Sequence, residues 1–189
     1  MVSAFAVDLN RMAHGRPVVF SNWGLNYMPE ADLEEVELEK AIRDYVLCEQ
    51  DRVIEYRKEA MERQNQSFDD PKGFVEMHIF QIDKLDQEYI VYSQVLEEVY
   101  YLENGKITCE CGSNIPTVYR LCRNSNGQFE VISSKQPEDG ERYAESLKEM
   151  FPRSVMRKFK SFNNKAKDAE MIFRMKQQVQ EYYRGRGSN

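Results

Sequence analysis

No run of about 18 uncharged apolar residues occurs in this 189-residue sequence, so no segment reads as a membrane-spanning helix. Histidine is scarce, with only His14 and His78, and no His-Glu-x-x-His, Gly-x-Ser-x-Gly, Walker-loop or dinucleotide pattern occurs. The familiar signatures of zinc peptidases, serine hydrolases and nucleotide-binding folds are therefore absent. Cysteine is limited to four residues, and the one close pair is Cys109-x-Cys111. That is not the Cys-x-x-Cys spacing of structural zinc, and no second pair follows, so neither a metal nor any other cofactor is expected. Positive charge is outnumbered, with 26 Lys+Arg against 32 Asp+Glu and a net charge of −6. Nucleic-acid binding needs a concentrated positive surface, so no nucleic-acid partner is expected. Met1–Ala6 lack the charged start and apolar stretch of a signal peptide, which leaves a cytoplasmic chain or one whose leader was removed before Met1. Apolar side chains are plentiful: 41% of residues are hydrophobic, with ten Phe and eleven Tyr. That excludes a wholly disordered chain, and the length suits one domain with appended segments.

The net charge conceals a division. Residues 153–189 hold ten Lys+Arg and three Asp+Glu, a net of +7, which leaves 16 basic and 29 acidic residues before them, a net of −13. Two readings follow. Tail and body attract each other within the chain, where effective concentration is high. Alternatively, residues 153–189 offer a basic surface to a membrane of anionic lipid or to a protein partner.

Residues 1–30 form an extended, aromatic-rich arm with the only tryptophan, Trp23, and those rings must bury themselves on the body. Pro29 and Asp32 mark the start of a long helix, in which Leu33, Val36, Leu38, Ile42, Val46 and Leu47 fall mostly at three- and four-residue steps. It continues towards Gln66 and ends at Asp69-Asp70-Pro71-Lys72-Gly73. From Gly73 to Ser134 the texture is β. Segments 74–82, 89–102, 106–111, 117–123 and 128–134 read as four or five short antiparallel strands joined by tight turns. Asn104-Gly105 is the strongest hairpin signal, and Gly112–Pro116 is read as another turn. Segment 89–102 is apolar on both alternations, which requires cover on both faces. Short helices follow at 142–150 and 154–162, then an amphipathic helix over 165–183 with Ala169, Ile172, Phe173, Val179 and Tyr183 near one face. The expected fold is α+β: a long N-terminal helix on a curved four- to five-stranded antiparallel meander, cystatin-like or NTF2-like, with C-terminal helices. Its parts are an arm over 1–30, a domain over 31–163, and a basic helix with a frayed end over 164–189.

Glu76 and His78 lie two apart on an expected strand and share a face with Phe74 and Phe80. A histidine beside a carboxylate in an apolar concavity suits a general base, while a strand with polar members facing water explains the same pair without chemistry. Glycosidase-type chemistry would need Glu76 to meet Glu97 or Glu98, which necessarily face opposite sides. Tyr92 on the next strand and Trp23 on the arm complete the ligand-binding candidates. Cys109 and Cys111 alternate with Glu110, so both thiols are expected on one face as small buried hydrophobes. Cys109 and Cys122 do not oppose each other across a 112–116 turn without a bulge, which argues against a bridge between them.

Several phrases together resemble a family of uncharacterised exported or lipoprotein-like proteins of Gram-positive bacteria. They are Pro17-Val-Val-Phe-Ser-Asn-Trp-Gly24 with Tyr27, Glu76-x-His78, Glu103-Asn-Gly-Lys106, Gly112-Ser-x-Ile-Pro116, Pro137-Glu-Asp-Gly140 with Tyr143, and Phe151-Pro152, spread over about residues 16–160. The family is similar to sensor-side domains of membrane metallopeptidases of the beta-lactam-sensor type. The resemblance implies a sensor or interaction domain outside the cytoplasm, anchored to the membrane if a leader was removed. It carries no catalytic residues. The cysteines, the missing leader and the longer helix near 52–64 depart from the family pattern. The expected function is non-catalytic binding of a small molecule or protein at Glu76, His78, Trp23 and Tyr92. The alternative is a small NTF2-like enzyme with His78 as general base and Glu76 orienting it.

Overall fold

The computed structural model describes residues 30–162 and 166–186. The chain divides into two compact units, Met1–Ala41 and Ile42–Asn189. In the first unit residues 30–41 are helical, with Leu38 buried and Leu33 and Val36 exposed. The second unit holds the sheet and the remaining helices.

Helix α1 (Glu30–Arg63) enters the second unit with a narrow buried stripe: Ile42, Val46, Gln50 and Ile54, one position per turn. Its end is a Schellman motif. Asn65 adopts φ 54°, the Gln66 N–H donates to the Met61 carbonyl at 3.0 Å, and the Asn65 N–H donates to Glu62 at 3.1 Å. The helix therefore stops ahead of Asp69–Gly73, which opens the first strand instead of closing the helix as the sequence predicts.

The sheet is a four-stranded antiparallel meander in chain order: β1 (Asp69–Leu85), β2 (Glu88–Glu103), β3 (Lys106–Arg123) and β4 (Phe129–Lys135). Asn104 and Gly105 turn β2 into β3 with positive φ at both positions, the two-residue hairpin their sequence signals. The turn expected at Gly112–Pro116 is absent, and these residues lie inside one 18-residue strand. Pro116 donates no N–H, yet β4 pairs only with Val118–Arg123, so the stretch 106–117 runs along an open sheet edge where proline is tolerated. Pro71 is accommodated in the same way on β1, the opposite edge strand.

Two glycines answer to close approach. A Cβ on Gly73 would lie 2.1 Å from Gln50 Oε1 and 3.1 Å from Gln50 Cβ, where α1 presses on β1. A Cβ on Gly112 would lie 2.9 Å from the Glu97 carbonyl oxygen of the neighbouring strand.

The two faces of the sheet are covered by different elements, as the two-sided pattern of β2 predicts. A single 3-10 turn (Gly140–Arg142) leads into α2 (Tyr143–Met150), α3 (Arg153–Phe162) and α4 (Ala166–Tyr183). These helices bury Phe74, Phe80, Tyr92 and Leu96 of the sheet beneath Phe151, Val155, Phe159 and Phe162, and beneath a row on α4. That row is Met171, Met175, Val179 and Tyr183, four residues apart. Phe173, expected on the buried face, is 60% exposed because the row runs through the methionines. On the other face Ile54 of α1 packs with Phe68, Val99 and Tyr101, and Tyr45 meets Tyr119 edge-on at 6.2 Å. Cations of the basic C-terminal region find partners on the acidic body. Arg174 pairs with Glu76, Arg186 pairs with Asp70, and Lys158 donates to the Phe80 carbonyl.

Candidate functional site

Glu76 and His78 lie on the face of β1 that α3 and α4 cover. Glu76 is 6% exposed. Its carboxylate accepts from Arg174 Nε at 3.1 Å and from Gln178, both on α4, and Arg174 also reaches Glu170 at 3.0 Å. His78 stands opposite Gln94 in the β1–β2 register. Its ring stacks on Phe162 at 4.6 Å and 16°, and meets Phe80 edge-on at 5.1 Å. Gln94 donates to Asn114 at 2.7 Å, and Asn114 donates to Asp168 of α4 at 2.8 Å. Tyr92 is buried against Phe151 at 5.9 Å, and burial followed by Asp83 pushes its hydroxyl pKa up. The structure thus brings Glu76, His78 and Tyr92 onto one face, the one that α3 and α4 pack against. Trp23 and His14 lie outside the described residues.

A cleft of about 310 Å3 runs between α1 and the β2–β3 hairpin. Glu49, Gln50 and Val53 line it from the helix; Glu97, Val99, Cys111, Gly112 and Ser113 line it from the strands. The local sequence explains the gap. α1 supplies one buried residue per turn over this region, and the strand residues opposite its flank are small or polar: Cys111, Gly112 and Ser113. The Ser113 hydroxyl donates to Glu97 Oε1 at 2.8 Å. Gln50 Nε2 is 3.5 Å from the Phe74 carbonyl. Gln50 Oε1 and Gln94 Oε1 are the two buried side-chain polar atoms among the described residues with no hydrogen-bond partner. Glu97 and Glu98 separate as their adjacency requires: Glu97 faces the cleft, and Glu98 accepts from Tyr100 on the opposite face.

The cysteines depart from expectation. Tyr100 opposes Cys109 and Val99 opposes Cys111, so Glu110 is the extra residue of a β-bulge. Because Val99 and Tyr100 face opposite ways, the two thiols also do. Cys111 is half-buried in the cleft and Cys109 is exposed, so neither is a fully buried hydrophobe. Burial, followed by Glu110, pushes the Cys111 thiol pKa up, with Arg57 opposing. All four cysteines are free. No group of three or more His, Cys, Asp or Glu among the described residues is arranged to hold a metal ion.

The cleft is not legible in the sequence. Its only signal was Glu97 inside a strand apolar on both alternations, a carboxylate that must find either a partner or an opening. No protein-family model, curated protein or solved structure matches the chain.

Proposed function

We propose that the chain is a non-catalytic binding domain and that its ligand enters the cleft between α1 and the β2–β3 hairpin. The observation that carries this reading is the distribution of polar groups between the two faces. Glu76 is committed to Arg174 and Gln178, and the half-buried His78 ring is stacked on Phe162, so both polar side chains of that face are engaged with α3 and α4. The cleft instead gathers Glu97, Gln50 and Ser113 beside apolar walls, in a volume at the lower end of the range of about 300–1,000 Å3 for small-molecule sites. A binding role agrees with the sensor-like character implied by the family resemblance and moves the site to the opposite face.

A thermal-shift screen against small molecules, run on wild type, Val53→Trp and His78→Ala, tests the reading. Val53 is a partly exposed residue on the cleft wall, so Trp fills the cleft without opening the core. Ligands that stabilise wild type should stabilise His78→Ala equally and lose their effect on Val53→Trp. Loss in His78→Ala with retention in Val53→Trp would return the site to the covered face.

A further inference from the structure

The charge around the cleft does not balance. Two acidic groups at or near its rim are matched: Glu49 pairs with Arg52 at 2.8 Å, and Glu110 pairs with Arg57 at 3.2 Å. Glu97 has no cation beside it among the described residues, and its one hydrogen bond comes from Ser113. A carboxylate offers about four lone-pair sites, so most of its accepting capacity is unused. It is half-buried, where attraction for a cation exceeds that in bulk water.

Gln50 is 5% exposed, lines the same cleft, and its Oε1 accepts nothing. That oxygen lies against Gly73 of β1, so the Gln50 amide closes the floor between α1 and β1 and its acceptor does not face the cleft. Gln94 Oε1, the comparable atom, lies on the face closed by α3 and α4. The side-chain donors of the lining are few, and Gln50 Nε2 is directed at the Phe74 carbonyl, 3.5 Å away. The Ser113 proton is already given to Glu97, and the Cys111 thiol is a weak donor. What remains of the wall is apolar, from Val53 and Val99.

We propose that the cleft binds a primary ammonium group on a short aliphatic stem, the head at Glu97 and the stem along Val53 and Val99. An ammonium carries three donors and no acceptor on a compact head, which matches a half-buried carboxylate held only by the Ser113 hydroxyl. The inference rests on the binding-domain reading and adds the ligand class. The same chemistry comes from a free alkylamine or from a lysine side chain.

Isothermal titration of the full chain with n-butylammonium, 1-butanol and butyrate at one ionic strength tests it. Butylammonium should bind, with 1-butanol and butyrate at least about tenfold weaker. Glu97→Gln, checked for folding by circular dichroism, should lose about tenfold in butylammonium affinity. Ser113→Ala, which frees the carboxylate, should bind as tightly as wild type or tighter, and Val53→Trp should abolish binding. Nα-acetyl-lysine methylamide binding more tightly than butylammonium would indicate a protein side chain, and the reverse order a free amine. Binding of 1-butanol or butyrate that Val53→Trp abolishes, without butylammonium binding, overturns the ammonium assignment and leaves the binding domain standing. No binding of any probe overturns both. Unchanged affinity in folded Glu97→Gln overturns the assignment of Glu97.

Discussion

Gly73 shows how one missing side chain sets the distance between two elements. Gln50 fills the space a Cβ would take, so Gly73→Ala must push Gln50 aside or lift α1 from β1. Overpacking of this kind costs about 1–3 kcal/mol. Urea denaturation should show that loss, and the cost should be smaller in a Gln50→Ala background, where the clashing amide is gone. Gln50 was legible in the sequence only as a polar residue in register with Ile42, Val46 and Ile54. Its contact with Gly73 was not legible, because it depends on where the helix crosses the sheet. Glu76 and His78 were correctly placed on one strand face with Phe74 and Phe80, since period-two alternation decides that. What covers that face is a tertiary matter, and no local pattern carried it.

Among the elements, α4 is the one whose role the sequence concealed. Its sequence reads as an amphipathic helix with Val179 and Tyr183 on one face but set apart from the 31–163 domain, whereas Met171, Met175, Val179 and Tyr183 lie in the main core. Arg174 anchors it over Glu76, and the two partners differ in exposure, 41% against 7% for the side chains. Removing the arginine leaves a carboxylate buried with Gln178 alone, while removing the carboxylate leaves a cation that water reaches. Arg174→Met should therefore cost about 1–3 kcal/mol, and Glu76→Gln distinctly less. Equal losses in chemical denaturation would contradict that asymmetry. The hairpin at Asn104-Gly105 and the long helix were legible because turn chemistry and periodicity are local. The supposed turn at Gly112–Pro116 misled for the converse reason. Glycine there answers to the approach of Glu97 and proline to an open edge, and both depend on the pairing of neighbouring strands.

For the whole molecule, the α+β arrangement followed from the sequence, because β2 is apolar on both alternations and had to be covered twice. Burial within this core governs how stability responds to alkali. Tyr100, Tyr119 and Tyr183 all have their hydroxyl pKa pushed up, by burial first and then by Glu98, Glu97 and Asp70 respectively. A folded-state value above the unfolded one means that the stability is fully present below the ordinary tyrosine value of about 10. It is lost as pH rises beyond that value, because the unfolded chain releases protons that the folded one retains. The urea midpoint should be level from about pH 7 to 9 and fall above about 10. A midpoint that rises with alkali would contradict the burial of these hydroxyls.

Binding at the cleft between α1 and the β2–β3 hairpin is the central claim. Backbone-amide shift mapping of the isotopically labelled chain, titrated with a library of small amines and neutral fragments, reads that directly. Shifts should gather at Glu49–Val53, Glu97–Val99 and Cys111–Ser113, leaving Glu76–Phe80 and Tyr92 unmoved. Shifts confined to Glu76–Phe80 and Tyr92 would contradict the account and place binding beneath α3 and α4.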